Sequence, residues 1–306
     1  MRRLLPYAGL ILVCLALAMA ADRFLTADNL ADVARRVSVI NVVAVGMTFV
    51  VITGGIDLSV GSAVGLAGVA GTWALTRGAP VGVGVVVGVL TGAACGLLNG
   101  VLVGALRLPP FIVTLGTMGA LRGLVLYLTD GQTITEGVPR ALGALSDARI
   151  AGVPMPVWLL LPLALAAHLV LSGTRFGRYC YAQGGNPQAA FLAGIPTRRI
   201  VASVYVLSGA CAGLAGMMDA ARILTGNPTA GQEYELRVIA AVVIGGASLS
   251  GGVGTVAGAT IGALLMAVLE NGGNLLGISP FVQRMVIGAL IVAVVAIDKM
   301  RQGGER

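Results

Sequence analysis

Residues 174–200, TRFGRYCYAQGGNPQAAFLAGIPTRRI, form a polar, basic island in a chain that is otherwise almost continuously apolar. Gly184-Gly185 reads as a turn, Asn186 as an N-cap, and Pro187 as the first helical residue, where its missing N–H does no harm. Gly194 is placed to end the helix and Pro196 to stop it continuing. The spacing predicts a helix of about eight residues, roughly 12 Å long, too short to hold by itself in water. Its small side chains around Phe191 and Leu192 suit two arrangements, a loop helix packed on its own protein or one docked on a partner.

Outside the island the composition excludes a soluble globule. Of the 306 residues 57% are hydrophobic and 11% charged, too little polar surface to cover a water-soluble domain. The net charge of +7 does not indicate a nucleic-acid surface, because the basic residues, all arginine except Lys299, are dispersed and lack interleaved aromatics. They read as loop and interface anchors. Cys14, Cys95, Cys180 and Cys211 lie far apart with no metal-ligand spacing and are expected as small apolar fillers. His168, alone on an apolar run, is expected as a packed or interfacial side chain rather than a catalytic one.

The apolar remainder divides into ten candidate spans, with eight to eleven defensible because several are short and glycine-rich. They are 1–21, 37–53, 60–77, 81–103, 110–128, 155–172, 200–218, 236–250, 252–271 and 284–298. The first resembles a secretory signal, but its length and the spans that follow favour a retained helix. The fold class is therefore an all-α membrane protein, a polytopic bundle forming one domain over 1–306. Basic residues divide evenly between its two sides, so clustering must decide orientation. Arg175, Arg178, Arg198 and Arg199 flank the island, and Lys299, Arg301 and Arg306 form the tail. Placing both groups in the cytoplasm puts both termini there, makes 173–199 a cytoplasmic loop, and leaves 129–153 as the longest exposed segment on the other side.

Glycine recurs at small-xxx-small spacing in Gly84, Gly88, Gly92, Gly96 and Gly100, which predicts helices in close contact. There is also an internal echo: GGIDLSVG at 54–61 and GGASLSGG at 245–252 share the pattern GGxxLSxG. Paired glycine-interrupted segments in two halves point to a transport pathway. The distances to the Asn-Gly and Pro-Phe landmarks that follow each copy disagree, so simple duplication fails unless a span is broken.

Catalytic and nucleotide motifs are missing. There is no HExxH, no GxSxG and no P-loop, and the GxGxxA match at 252–257 has no strand before it. No metal site or cofactor is expected. Asp57, Glu270 and Asp219 are the ionisable groups nearest to spans and hence functional candidates. For Asp57, capping the helix that follows is the simpler role. Thr53, Ser59, Ser62, Asn99, Thr114, Asn271 and Asn274 offer hydroxyl and amide groups either to a hydrated path or to neighbouring helices. The scarcity of aromatics, 5%, argues for a low-affinity conduit.

Four blocks in order resemble the ribose-type sugar permease family of bacterial ABC importers. These are Gly46-Met47-Thr48 with 53–62 (TGGIDLSVGS), Asn99-Gly100 with 109–116 (PPFIVTLG), the island, and 235–246 with 271–276. Gln183 stands where the family is usually apolar, and Gly273 replaces a larger apolar residue. The resemblance implies a bacterial inner-membrane permease subunit for a monosaccharide or sugar-like solute, with no active site of its own. It implies a cytoplasmic ATPase subunit that binds the ATP, an extracytoplasmic sugar-binding protein, a second permease copy in a homodimer and surrounding lipid, with no nucleic acid. Gly177, Arg178, Gly184, Gly185, Asn186, Ala189, Ala190 and Gly194 are then expected to couple to the ATPase, with Ala189 and Ala190 sinking into its groove. Thr53, Asp57, Ser59, Asn99, Thr114, Asn271 and Asn274 are expected along the translocation path. A proton-coupled or facilitative secondary transporter is the alternative, and would need a committed intramembrane carboxylate such as Glu270.

Overall fold

The computed structural model describes residues 5–303, so Arg306, which enters the sidedness argument, lies outside it, as do the side chains of Lys299 and Arg301. Helices α1 (Leu5–Ala20), α2 (Ala27–Ile52), α3 (Val60–Thr76), α4 (Val81–Gly104) and α5 (Pro110–Leu128) form the first half. A short helix α6 (Ala144–Asp147) and a hairpin of β1 (Arg149–Ile150) and β2 (Val153–Pro154) lead to α7 (Met155–Gly173). Then come α8 (Arg175–Gly185), α9 (Pro187–Leu192), α10 (Thr197–Ile223), α11 (Tyr234–Ile244), α12 (Val256–Leu275) and α13 (Pro280–Gly303). Every predicted span falls on a helix, and among the described residues six helices are long and apolar enough to cross a membrane.

The bounds differ where tertiary packing overrides the apolar pattern. Helix α2 begins at Ala27, ten residues before the predicted 37, because Thr26 caps it and Arg35 pairs with Asp32 at 2.6 Å along its polar first turns. Helix α11 has 11 residues, about 16 Å at 1.5 Å per residue, and ends at Ile244 rather than at 250. The chain then turns back through Gly246, Gly251 and Gly252, all at positive φ, before α12 starts. This is the kind of glycine-broken segment that the short spans suggested.

Helix α2 is the axis of the bundle. From Val42 to Ile52 every residue is buried, a helix apolar all round and covered on all sides. The glycine row of α4 lies against α10: the positions a Cβ would take at Gly92 and Gly96 are filled by the carbonyls of Gly209 and Tyr205. Reciprocally, Gly209 and Gly213 abut the carbonyls of Gly92 and Gly88. The two backbones touch directly, as the spacing predicted. Helix α1 packs on α12, where Leu17 sits over Gly272.

The bundle has two distinct ends. At one, α8 and α9 gather with the α2–α3 and α11–α12 connections, since the Gly252 N–H donates to the Ile52 carbonyl at 2.8 Å. At the other, the 129–153 segment crosses the start of α2 and the end of α10. Arg35 pairs with Asp147 at 3.3 Å and Ile134 bridges Gly226. This segment is not merely exposed. Leu142 is fully buried among Leu75, Met217 and Ala221, so it caps that end of the bundle.

Candidate coupling helices and buried polar seam

The island folds as two helices rather than one. Thr174 caps α8 by accepting from the Gly177 N–H at 3.2 Å, and Asn186 caps α9 by accepting from the Ala189 N–H at 2.9 Å, with Pro187 at N1. Helix α9 closes as predicted: Gly194 is left-handed at φ 79°, and Ile195 donates back to the Ala190 carbonyl at 3.1 Å. Gly184-Gly185 is not a turn. Both belong to the last turn of α8, and the break falls on the extended Asn186.

Gly184 serves close approach. Its absent Cβ would overlap the Ile52 carbonyl, and Gly251 packs against its Cα with the Cα of Gly54 beside them. The two GGxxLSxG segments therefore meet, with the end of α8 wedged between them. Gly177 likewise lies on the Leu171 carbonyl. Phe176 meets Phe49 at 6.2 Å, and Tyr181 donates to the Gly254 carbonyl at 2.7 Å, fixing α8 to α2 and to the second loop. Burial pushes the Cys180 thiol up to about 12 and leaves it a neutral filler. Gln183 is buried, its Oε1 without a hydrogen bond among the described residues, which fits a position where an apolar residue is expected.

Ala190 does not face outward as expected. It is 4% exposed and packs inward, because the i and i+1 positions of a one-and-a-half-turn helix point about 100° apart. Ala189 is exposed on the outer side, with Phe191 at 60% and Leu192 at 79%. Arg178, Gly185, Asn186 and Gly194 are exposed around them, whereas Gly177 and Gly184 are buried fixtures.

Above this unit lies a polar seam. Asp57, 1% exposed, accepts from the Ser59 N–H at 3.0 Å, the Ser59 hydroxyl at 2.7 Å and the Ser208 hydroxyl at 3.2 Å. It does not cap α3 as expected, since its backbone bond goes to Ser59 ahead of the helix and no side chain caps the first turn, and it reaches across to α10 instead. Asn99 donates to Ser59 Oγ at 2.7 Å and accepts from Thr117 Oγ1 at 2.8 Å, while Thr114 and Tyr205 both donate to the Ile56 carbonyl. Ser62 donates to the Met118 carbonyl at 2.8 Å. Thr53 closes α2 on the Val50 carbonyl at 2.8 Å.

Asp57, Ser59, Asn99 and Thr114 therefore come together, and Ser208, Tyr205 and Thr117 join them without having been singled out. Their hydroxyls look unremarkable in sequence because the partner is far along the chain. Asn271 and Asn274 stand elsewhere: Asn271 exchanges amide bonds with Asn29 at 2.7 and 3.1 Å, and Asn274 accepts from Gln283 at 3.0 Å. A Cβ at Gly273 would meet the amide end of the Gln283 side chain at 2.8 Å. Asp219 and Glu270 lie at the capped end, paired with Arg222 at 2.7 Å and Arg237 at 3.2 Å. His168 faces out of the bundle. Among the described residues no group of three or more His, Cys, Asp or Glu side chains could hold a metal.

Residues 29–295 match the family described as branched-chain amino acid transport system / permease component. The chain belongs to this permease family. It is similar to the ribose import permease protein RbsC of Bacillus subtilis, 39% identical over 98% of this chain and 94% of the relative. The RbsC of Escherichia coli K12 is 41% identical over 96% and 92%, and the L-arabinose transport system permease protein AraH of the same strain 38% over 99% and 91%. No solved structure gives a significant match. The permease is a transport component and not an enzyme.

Proposed function

We propose that this permease is the membrane subunit of an ATP-binding-cassette importer for a monosaccharide or sugar-like solute, in the bacterial inner membrane. The observation that carries the reading is the tip of α9. Phe191 and Leu192 project from a capped short helix that follows directly on α8, whose Gly184 is wedged against both glycine loops. An apolar knob beside the exposed Arg175, Arg178, Arg198 and Arg199 suits a partner on the cytoplasmic side, and the lack of a P-loop assigns ATP to that partner. The permease itself needs no cofactor. In this reading ten helices cross the membrane, both termini are cytoplasmic, and 129–153 faces outward, where a sugar-binding protein would deliver the solute. A second copy completes the path as a homodimer in lipid.

Within the coupling unit Gly177, Gly184 and Gly194 set the pose, and Arg178, Gly185, Asn186 and Ala189 border the docking face with Phe191 and Leu192. Ala190 holds the helix to its own protein. We assign the polar part of the path to the junction of Asp57, Ser59, Asn99 and Thr114, supported by their hydrogen bonds across α3, α4, α5 and α10, with Thr53, bonded to the Val50 carbonyl of α2, retained as a path residue on its position alone. Asn271 and Asn274 would meet the solute at the other end. Glu270, the carboxylate a secondary transporter would need, is tied to Arg237.

Reconstitution with the ATPase subunit tests the proposal. Leu192→Asp should abolish solute-stimulated ATP hydrolysis and uptake while the variant still inserts, since the side chain is exposed and its loss disturbs no packing. Unchanged coupling in Leu192→Asp, or full uptake in proteoliposomes without any ATPase, would reject it.

A further inference from the structure

At the capped end, a cavity of about 140 Å³ opens between the ends of α10, α11 and α12 and the early turns of α2. Its polar lining is Arg36, Asp219, Arg222, Tyr234, Arg237 and Glu270. We propose that this cavity is a low-affinity site for a small neutral polyol, a monosaccharide in its ring form, and the first place the solute contacts the permease. The inference rests on the importer reading given above.

The chemistry follows from which hydrogen-bonding groups are left open. Arg222 sends both Nε (3.3 Å) and Nη2 (2.7 Å) to the same oxygen, Asp219 Oδ1, so Oδ2 keeps no hydrogen bond among the described residues. Arg237 Nη1 sits 3.2 Å from each oxygen of Glu270, which leaves further lone pairs on that carboxylate. The Arg36 guanidinium and the Tyr234 hydroxyl make no hydrogen bond or ion pair among the described residues and line the same space. The cavity therefore offers unfilled acceptors on Asp219 and Glu270, unfilled donors on Arg36, and a phenol that does both.

Three ligand classes can be weighed against that set. An anion would meet the Arg36, Arg222 and Arg237 guanidiniums but also two carboxylates. A cation would meet two carboxylates but three guanidiniums. A sugar hydroxyl both donates and accepts, so a ring of hydroxyls fits mixed groups without bringing a charge to oppose either sign. The Tyr234 ring and the apolar Val39 and Ile40 supply a surface for its C–H face. The volume is well below the ~300–1,000 Å³ of clefts for drug-sized ligands, which limits the solute to a single sugar ring. Affinity is low because Asp219 and Glu270 already hold ion-pair partners that the sugar does not displace, a property that suits a site that must let go.

Direct binding tests this on the full permease with its ATPase subunit in nanodiscs, using radiolabelled D-ribose, L-arabinose and D-allose, with D-ribose 5-phosphate as the anionic probe. At least one sugar should bind saturably at millimolar concentration and more tightly than the phosphate. Tyr234→Phe, which removes one hydroxyl and leaves both ion pairs, should weaken it about threefold to tenfold, the effect of one lost hydrogen bond. Asp219→Asn should weaken it at least as much. Tighter binding of the phosphate, unchanged binding in both variants, or no binding of any of the three sugars would overturn the site. If the same complex, reconstituted in sealed proteoliposomes, transports one of the sugars while binding in nanodiscs is absent or insensitive to both variants, the site fails and the importer reading stands. ATPase-independent uptake would instead defeat that reading.

Discussion

Asn99 illustrates how much one buried amide can hold. Its carboxamide donates to Ser59 on the approach to α3 and accepts from Thr117 on α5, while Ser59 passes the connection to Asp57 and, through Ser208, to α10. Removing it deletes two buried hydrogen bonds, leaving Ser59 only its bond to Asp57 and Thr117 only the Thr114 carbonyl at 3.2 Å, and each lost bond costs about 0.5–1.5 kcal/mol. Asn99→Ala should therefore lower the thermal midpoint of the purified permease measurably, whereas Asn274→Ala, whose exposed side chain bonds only Gln283 at 3.0 Å among the described residues, should leave it nearly unchanged. Equal midpoints for the two variants would show that the seam contributes little. In sequence these asparagines look alike, each beside glycine in an apolar run. Only the fold distinguishes an amide with partners on two helices from one at a surface turn. The place of Asp57 before Ser59 suggested a helix cap, but the carboxylate holds the turn at Ser59 instead, and its bond to Ser208, 151 positions away, was not legible at all.

The glycine row of α4 shows an element read correctly from spacing alone. Small residues every four positions form one continuous strip along a helix, and in lipid such a strip is filled by another backbone. The spacing does not say which helix, and the structure gives α10, whose Gly209 and Gly213 present a matching strip. Gly92→Leu would drive a side chain into the Gly209 carbonyl. Overpacking a tight interface costs about 1–3 kcal/mol or more, so the variant should lose detergent stability or fail to accumulate. Gly116→Leu on α5, where a Cβ meets nothing within 4 Å, should be tolerated in the same assay. Comparable behaviour of both variants would contradict the α4–α10 contact. The internal echo belongs to this scale too. Its two copies do not superpose by spacing, yet both became glycine breaks, Gly54 at φ 80° and Gly246 at φ 92°, because both connect a buried helix to the next one through a turn that a side chain would strain. Their meeting around Gly184 gives α8 a hold on both breaks at once.

Across the whole permease the two ends differ in what covers them. One carries α8 and α9, the other the 129–153 cap held by Leu142 and the Arg35–Asp147 pair. If the basic clusters set orientation, single cysteines at Gln188 and Glu136, in a background without the four native cysteines, should react with a membrane-impermeant maleimide from opposite sides. The Gln188 position should label only in inverted vesicles, and the reverse pattern would turn the topology over. The sequence by itself determined a membrane class, the positions of the apolar helices, the glycine face of α4 and the caps of α9. Each follows from composition or from groups within a few residues, where periodicity and turn chemistry act. The tertiary structure alone decided that α11 stops short, that Ala190 faces inward, that the 129–153 segment is a cap, and that Asp57, Asn99 and Ser208 share one network. Those outcomes depend on which distant backbone or side chain fills a given space, and a linear pattern carries no record of that.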